Sequence, residues 1–208
     1  MAYLWAETAR PTRVVTHEGG GTLYQGAIAT LHDTAAMQFM NPRLIVSCFD
    51  DAAIAARDLA YYRSALVVRE NGETQFVMPR SDDARAHLQG VPVVLFRVPR
   101  VRGWRSMPDR QCAPFRGDLA TFCARVYACL ASGGNVLVHC IKGLKRSMPL
   151  VAAVIFACGS APDLTSAFKL AVEIRAEDVP AVSRVCLNGY ISCLIDENNV
   201  QRGINLRP

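Results

Sequence analysis

The sequence lacks both a membrane-length apolar segment and the paired ligands of a zinc site. Its longest apolar run, Leu150 to Cys158, is far shorter than the roughly 20 residues that cross a bilayer. The eight cysteines include no Cys-x-x-Cys pair, and no two histidines stand at metal-ligand spacing. We therefore expect no zinc, no cofactor and no transmembrane segment.

Residues 1–20 also lack the continuous apolar block that directs secretion. Several cysteines lie in apolar stretches, where they are expected to be small core residues in a reducing compartment. The cytoplasm is the default expectation, with mitochondrial targeting left open.

Length and composition are those of one folded domain. The chain has 208 residues, 51% of them hydrophobic, and contains no repeats or low-complexity tracts. We expect a single domain over 1–208, with a poorly structured segment at 1–20 and a polar tail at 196–208. Strand and helix patterns alternate and end in helices, which predicts an α/β fold with a central, largely parallel sheet flanked by helices.

Turn residues divide the chain into alternating apolar elements. Predicted strands are 22–26, 43–48, 65–69, 74–78, 91–98 and 136–138, and predicted helices are 27–39, 52–62, 81–90, 119–131, 150–158, 163–175 and 181–195. The strand 22–26 is expected at an edge of the sheet, and Asp118 or the loop before it is expected to open the helix 119–131. Asn71-Gly72 supplies the positive φ of a tight turn, which predicts a hairpin over 65–78.

The stretch from Val136 to Leu150 joins a strand to a helix through a loop that contains a cysteine and an arginine. Five residues separate Cys140 from Arg146, so the loop amides can converge on one anion beside the thiol. A helix N-terminus and a nearby cation lower a cysteine pKa to roughly 3.5 to 7.5, which makes Cys140 a candidate nucleophile. Arg146 offers a planar fork for two phosphoryl oxygens. The stretch predicts a phosphate-binding loop with a thiol at its base.

The other residues of this loop are expected to support that chemistry. Ser147 can donate to the sulfur and help it leave, and His139 is expected to orient the loop rather than transfer protons. The alternative is a structural cysteine followed by a surface arginine, which is disfavoured because an apolar core has no use for Arg-Ser beside the cysteine. The remaining predicted phosphate-binding residues are Ile141, Lys142, Gly143, Leu144 and Lys145, and Gly143 permits a positive φ.

The pattern His139-Cys140-x5-Arg146-Ser147 resembles the signature of cysteine-based protein tyrosine phosphatases. Its short form with an apolar strand before it is most similar to the dual-specificity type. This resemblance implies a dual-specificity phosphatase-like fold and hydrolysis of phosphomonoesters through a phosphocysteine, with phosphorylated Tyr, Ser or Thr proteins as substrates. Relative to the compact family fold, the hairpin at 65–78 looks like an insertion.

A leaving oxygen needs a proton, and Asp109 is the candidate donor. It lies 31 residues before Cys140, where the resemblance places the general acid on a loop. One alternative is that Asp109 only pairs with a neighbouring arginine. The second candidate acid, Asp118, is more simply a helix N-cap.

Cys48 ends the strand that should neighbour the strand before Cys140. One interpretation is a small core residue. The run Ile45-Val-Ser-Cys48 is also similar to strands of tensin-type lipid phosphatases and regenerating-liver phosphatases that carry a second cysteine. That resemblance implies that Cys48 is a redox partner that forms a reversible disulfide with Cys140.

Positive charge is concentrated near the predicted loop. The chain carries a net charge of +5, and the segment from Arg97 to Arg116 contains six arginines with Asp109 as its only acid. Such a segment is either a solvated basic loop or a surface that concentrates anionic substrates. Lys142 and Lys145 add charge in the loop itself, as lipid and RNA phosphatases of this superfamily often do.

These cations leave the substrate open. A phosphoinositide or an RNA 5′-phosphate could replace the phosphoprotein, and nucleic acid is the least favoured because no aromatic-interleaved binding motif accompanies the lysines. Two hypotheses of a different class are a catalytically weak phosphate-binding scaffold and a rhodanese-like sulfur carrier.

Overall fold

The computed structural model describes residues 10–49, 66–70, 73–77, 91–99, 109–180 and 188–194. Its elements in chain order are β1 (Thr12–Thr16), β2 (Thr22–Ala27), a 3₁₀ helix (Ile28–His32), α1 (Thr34–Met40), β3 (Pro42–Phe49), β4 (Leu66–Glu70), β5 (Glu73–Val77), β6 (Pro92–Arg97), α2 (Asp109–Ala131), β7 (Asn135–Cys140), α3 (Met148–Ala157), α4 (Leu164–Asp178) and α5 (Asn188–Leu194). The predicted helices 52–62 and 81–90, the tail and residues 100–108 of the arginine-rich segment lie outside the described residues.

The described strands form one sheet in the order β1-β2-β7-β3-β6-β5-β4. The four central strands, β2, β7, β3 and β6, are parallel to one another. On one side β1 pairs antiparallel with β2, and on the other side β5 pairs antiparallel with both β6 and β4. The carboxyl ends of the parallel strands meet at one edge of the sheet, where Ala27 is opposite Cys140. The predicted α/β fold, with a largely parallel central sheet flanked by helices, is confirmed.

Alternate residues of the central strands pack into two separate cores, as the two-residue period of a strand requires. Val46, Cys48 and Cys140 belong to the larger core, which the helices α2, α3 and α4 cover. Ile45 and Leu137 face the smaller core under the 3₁₀ helix and α1. The helix α3 is buried along nearly all of its length, which explains its uniformly apolar sequence. No helix within the described ranges is long and apolar enough to cross a bilayer.

The N-terminal segment differs from the prediction that 1–20 is poorly structured, because 12–16 form the strand β1. β1 pairs with β2, so β2 is not the edge strand that the sequence predicted. The hydroxyl of Thr12 donates to the carboxylate of Asp178 at 2.7 Å, and Val14 packs in the larger core. Asp178 is the last residue of α4, far along the chain, so a short local sequence pattern does not predict its contact with β1.

The helix α2 begins at Asp109, ten residues before the predicted start at Leu119, so the prediction that Asp118 is its N-cap is wrong. Residues at helical spacing keep one face of α2 buried from end to end: Cys112, Phe115, Leu119, Cys123, Val126 and Leu130. Pro114 and Gly117 lie on the exposed face. Packing of the apolar face therefore outweighs the weak helical preference of these two residues.

Side-chain caps set two other helix boundaries. The predicted helix 27–39 is divided at Asp33, whose carboxylate accepts a hydrogen bond from the N–H of Ala36 at 2.9 Å and caps α1. The predicted cap of α4 is confirmed, because Asp163 accepts from the N–H of Ser166 at 2.8 Å.

The strands β4 and β5 pair with each other, with Glu70 opposite Glu73. β5 also pairs with β6, so the hairpin extends the sheet on the side away from β1. That 65–78 is an insertion into a more compact fold stays a prediction.

Candidate active site

A seven-residue loop, 141–147, connects the carboxyl end of β7 to the first turn of α3. The N–H of Ile28 donates to the carbonyl of Ile141 at 3.4 Å, and the N–H of Val151 donates to the carbonyl of Ser147 at 3.1 Å. Pro149 lies in the first turn of α3, the position that tolerates proline. The loop is thus fixed to the first residue of the 3₁₀ helix at its start and to α3 at its end.

Gly143 allows this loop to lie directly on the backbone of β2. Its φ is +62°, and a Cβ at this position would be 2.5 Å from the carbonyl oxygen of Gly26 and 2.9 Å from the amide nitrogen of Ala27. Only glycine meets both requirements without displacing β2. The predicted positive φ is confirmed, and the close approach to β2 adds a second reason for glycine.

Cys140 is 3% exposed and lies at the base of the loop. Burial disfavours its thiolate, but the thiolate accepts hydrogen bonds from the N–H and hydroxyl of Ser147 and from the N–H groups of Leu144 and Lys145, so the pKa of Cys140 falls below its ordinary value. The Ser147 Oγ lies 3.7 Å from the Cys140 Sγ. A thiol with these donors is more nucleophilic at neutral pH than an ordinary cysteine.

The other loop residues are placed as follows. Lys142 is exposed, Gly143 and Ser147 are buried, and Ile141, Leu144, Lys145 and Arg146 are half-buried. The positive charge of Arg146 is close enough to Cys48 to lower the pKa of that thiol. Their phosphate-binding roles stay predictions.

His139 is fully buried one residue before Cys140, opposite Ser47 of β3. Burial lowers the pKa of His139 to about 4, against the opposing effect of a hydrogen bond with the backbone of Cys140. The imidazole is therefore neutral at pH 7. This charge state suits a residue that orients the loop.

Cys48 belongs to the same core as Cys140, one residue beyond the point where Ser47 pairs with His139. Burial and the nearby Cys140 thiolate raise the pKa of Cys48 well above its ordinary value, and the charge of Arg146 opposes that rise. Cys48 is therefore a protonated thiol at neutral pH, in the same core as Cys140. The cysteines in the described part of the chain are free.

Asp109 is the first residue of α2, and its side chain lies outside the described residues. Its predicted role as general acid stays a prediction. Asp118, the second candidate, lies on the exposed side of α2. Within the described ranges, no group of three or more histidine, cysteine or acidic residues could hold a metal ion.

The structure adds Arg175, which the sequence interpretation missed. It is fully buried beneath the loop, where its Nε donates to the Gly143 carbonyl at 3.1 Å and an Nη donates to the Thr12 hydroxyl at 2.6 Å. Burial lowers the pKa of Arg175 to about 10, and the negative charges of Asp178 and Cys140 oppose that shift, so the guanidinium is charged at neutral pH. Arg175 connects the floor of the loop to β1.

A signal for Arg175 is present in the sequence. The buried face of α4 consists of Leu164, Ala167, Phe168, Ala171 and Arg175. A lone arginine at the spacing of an apolar helix face indicates a buried, hydrogen-bonded cation.

No family profile matches the chain, and no curated protein matches it. Solved structures do match. Human DUSP28 is 18% identical with a TM-score of 0.53, and the match covers 92% of this chain and 95% of that one. A mouse protein described as a dual-specificity phosphatase is 17% identical, with a TM-score of 0.50 over 95% of this chain and 92% of its own. The Yvh1 phosphatase domain from Chaetomium thermophilum is 15% identical, with a TM-score of 0.50 over 94% and 99%. The chain therefore has the dual-specificity phosphatase fold, and the resemblance predicted from the loop is confirmed at the level of the fold.

Proposed function

We propose that this chain, which has the fold of dual-specificity phosphatases, is a phosphomonoester hydrolase that works through a phosphocysteine intermediate. The observation that carries the proposal is the set of hydrogen-bond donors around the Cys140 sulfur, from a loop that ends in Arg146 and Ser147. The proposed substrates are proteins phosphorylated on Tyr, Ser or Thr. The chemistry requires no metal ion or cofactor.

In the first step the Cys140 thiolate attacks phosphorus, and the S–P bond forms as the bond to the leaving oxygen breaks. Arg146 and the loop amides bind the oxygens of the transferring group and neutralise their charge. Asp109 gives a proton to the leaving oxygen. In the second step water attacks the phosphocysteine, Asp109 takes the water proton, and the sulfur leaves as a thiolate that the Ser147 hydroxyl stabilises.

Asp109→Asn is expected to separate substrates by their leaving groups. A p-nitrophenolate leaves without a proton, whereas the phenolate of phosphotyrosine needs one. The kcat/KM of the variant should therefore fall roughly 10²- to 10⁴-fold on a phosphotyrosine peptide and much less on p-nitrophenyl phosphate. The measurement is kcat/KM on both substrates, which reports the transfer of the phosphoryl group to Cys140 and not the later hydrolysis that also uses Asp109, with Asp118→Asn as the matched control. Equal losses on the two substrates, or a larger effect in Asp118→Asn, would identify another acid.

A phosphoinositide phosphatase is the second candidate, and the exposed side chain of Lys142 inside the loop favours it. The experiment is a panel of phosphopeptides, phosphoinositides and 5′-phosphorylated RNA, with Cys140→Ser as the blank. Hydrolysis of phosphopeptides at the highest kcat/KM supports the proposed substrate class. Preference for a phosphoinositide that Lys142→Gln removes would support the lipid, and tight binding without turnover would indicate a scaffold.

We propose that Cys48 protects Cys140 from oxidation. Peroxide converts the Cys140 thiolate to a sulfenic acid, the Cys48 thiol attacks that sulfur, and water leaves as the disulfide forms. Mild peroxide should therefore inactivate the wild type reversibly, with a Cys48–Cys140 linked peptide in the mass spectrum.

The matched variant is Cys48→Ala. After the same peroxide treatment, this variant should lose activity that a thiol reductant does not restore, because the sulfenic acid at Cys140 oxidises further. A wild-type spectrum without the linked peptide would contradict the assignment.

A further inference from the structure

Gln25 is a buried polar residue that the proposed chemistry does not yet include. Every residue of β2 is buried, and Gln25 itself is 0% exposed. A buried amide is unfavourable unless hydrogen bonds satisfy it. Its Nε2 lies 2.9 Å from the Ser147 Oγ and 3.3 Å from the Gly143 carbonyl oxygen, so both contacts are to the loop.

The direction of these hydrogen bonds follows from the Gly143 carbonyl. That oxygen accepts from the Arg175 Nε at 3.1 Å and can accept again, but it cannot donate. An amide turned the other way would place the Gln25 Oε1 against it, two acceptors with no hydrogen between them. The Nε2 of Gln25 therefore faces the loop and donates to Ser147.

This direction decides where the Ser147 hydroxyl points. A serine hydroxyl has one hydrogen to donate and accepts at its lone pairs. Because the Oγ accepts from Gln25, its hydrogen remains for the Cys140 sulfur, 3.7 Å away. Without the amide, the hydroxyl would be free to rotate away from the sulfur.

We propose that Gln25 is a positioning residue that holds the Ser147 hydroxyl in its donating direction toward the departing Cys140 sulfur. The inference rests on the proposed function, since it concerns the second step of that reaction. There the water oxygen bonds to phosphorus, the S–P bond breaks, the electron pair stays on the sulfur, and the water proton goes to the Asp109 carboxylate. The held hydroxyl stabilises the charge that develops on the sulfur.

The other end of the amide supports this assignment. The Oε1 of Gln25 is buried and has no hydrogen-bond partner among the residues that the structure describes. An unpartnered buried carbonyl destabilises the fold, and an apolar side chain of similar shape would remove that penalty. A residue kept only for packing would be expected to be apolar here.

The test compares Gln25→Met, Ser147→Ala and the double variant on p-nitrophenyl phosphate in rapid-mixing experiments. Methionine keeps the unbranched shape and removes the amide. Each single variant should retain the burst of the first step and lose roughly tenfold in steady-state kcat, the effect of one hydrogen bond to a charged group. The double variant should be no slower than Ser147→Ala, because Gln25 acts through that hydroxyl.

A second measurement does not depend on turnover. Alkylation of Cys140 by iodoacetamide is followed on its peptide by mass spectrometry over a range of pH. The pH profile of the alkylation rate should shift to higher pH in Gln25→Met and in Ser147→Ala. The shift in the double variant should equal that of Ser147→Ala. The exposed Gln38 gives the control, because Gln38→Met makes the same chemical change away from the loop and should behave as the wild type.

The possible results are distinct. Wild-type kcat and alkylation in Gln25→Met, or additive losses in the double variant, would overturn the role of Gln25 alone. A lowered melting temperature with equal loss of burst rate and kcat would show a purely structural role and also overturn it. A wild type that shows neither burst nor turnover would overturn the proposed function and this inference with it.

Discussion

Replacement of Cys140 by serine is expected to lower the hydrolysis of an aryl phosphate by roughly 10⁴- to 10⁶-fold, the range seen when covalent enzymes lose their nucleophile. The donors around Cys140 lower the pKa of its thiol. A serine hydroxyl starts from a far higher pKa, so the same donors cannot hold it as an anion at neutral pH. The measurement is steady-state kcat on p-nitrophenyl phosphate, with circular dichroism to show that the variant is folded.

Cys158→Ser is the matched control for this variant. Cys158 is half-buried at the end of α3, and burial raises its pKa to about 11, so it is a protonated thiol at neutral pH. Its replacement should leave kcat within about twofold of the wild type, as for a partly exposed site away from the loop. Retained turnover in Cys140→Ser, or an equal loss in Cys158→Ser, would show that Cys140 is not the nucleophile.

Gly143→Ala is expected to lower kcat/KM by about 100-fold or more. Alanine is strained at a φ of +62°, and its Cβ would lie 2.5 Å from the carbonyl oxygen of Gly26. The loop must then move away from β2, and the Gly143 carbonyl moves from the Arg175 and Gln25 donors. A displacement of about 1 Å in positioned groups is sufficient for a loss of this size.

Gly159→Ala separates backbone strain from the collision with β2. Gly159 also has a positive φ, +72°, but a Cβ there meets nothing within 4 Å. It should lower stability by about 1–2 kcal/mol, measured by denaturant unfolding, and leave kcat/KM unchanged. Wild-type activity in Gly143→Ala, or a comparable activity loss in Gly159→Ala, would contradict the packing of the loop on β2.

The loop and the sheet around it could be predicted from the sequence because their signals are local. The strand before Cys140, the proline in the first turn of α3 and the glycine with positive φ each follow from neighbouring residue types. The prediction that the strand ending at Cys48 neighbours the strand before Cys140 is confirmed, because β3 pairs with β7. These features place the cysteine and the arginine in one loop.

The support beneath the loop could not be predicted in the same way, because it comes from distant parts of the chain. Arg175 joins the loop to Thr12, whereas the sequence predicted only that this position ends a helix. Gln25 lies in the strand that the sequence predicted at an edge of the sheet, but β1 pairs with β2 and Gln25 is buried. In this sequence, polar residues inside predicted core elements are therefore the positions that indicate buried hydrogen bonds to the loop.

The central claim is a covalent phosphocysteine at Cys140, and acid quenching tests it most directly. Ser147→Ala and the wild type are mixed with excess p-nitrophenyl phosphate, quenched at the end of the burst, digested and examined by mass spectrometry. The expected result is one added phosphoryl group on the peptide that contains Cys140, more abundant in Ser147→Ala because the second step is slower. Turnover of p-nitrophenyl phosphate with no phosphoryl group on Cys140, or with the group on another residue, would contradict the mechanism.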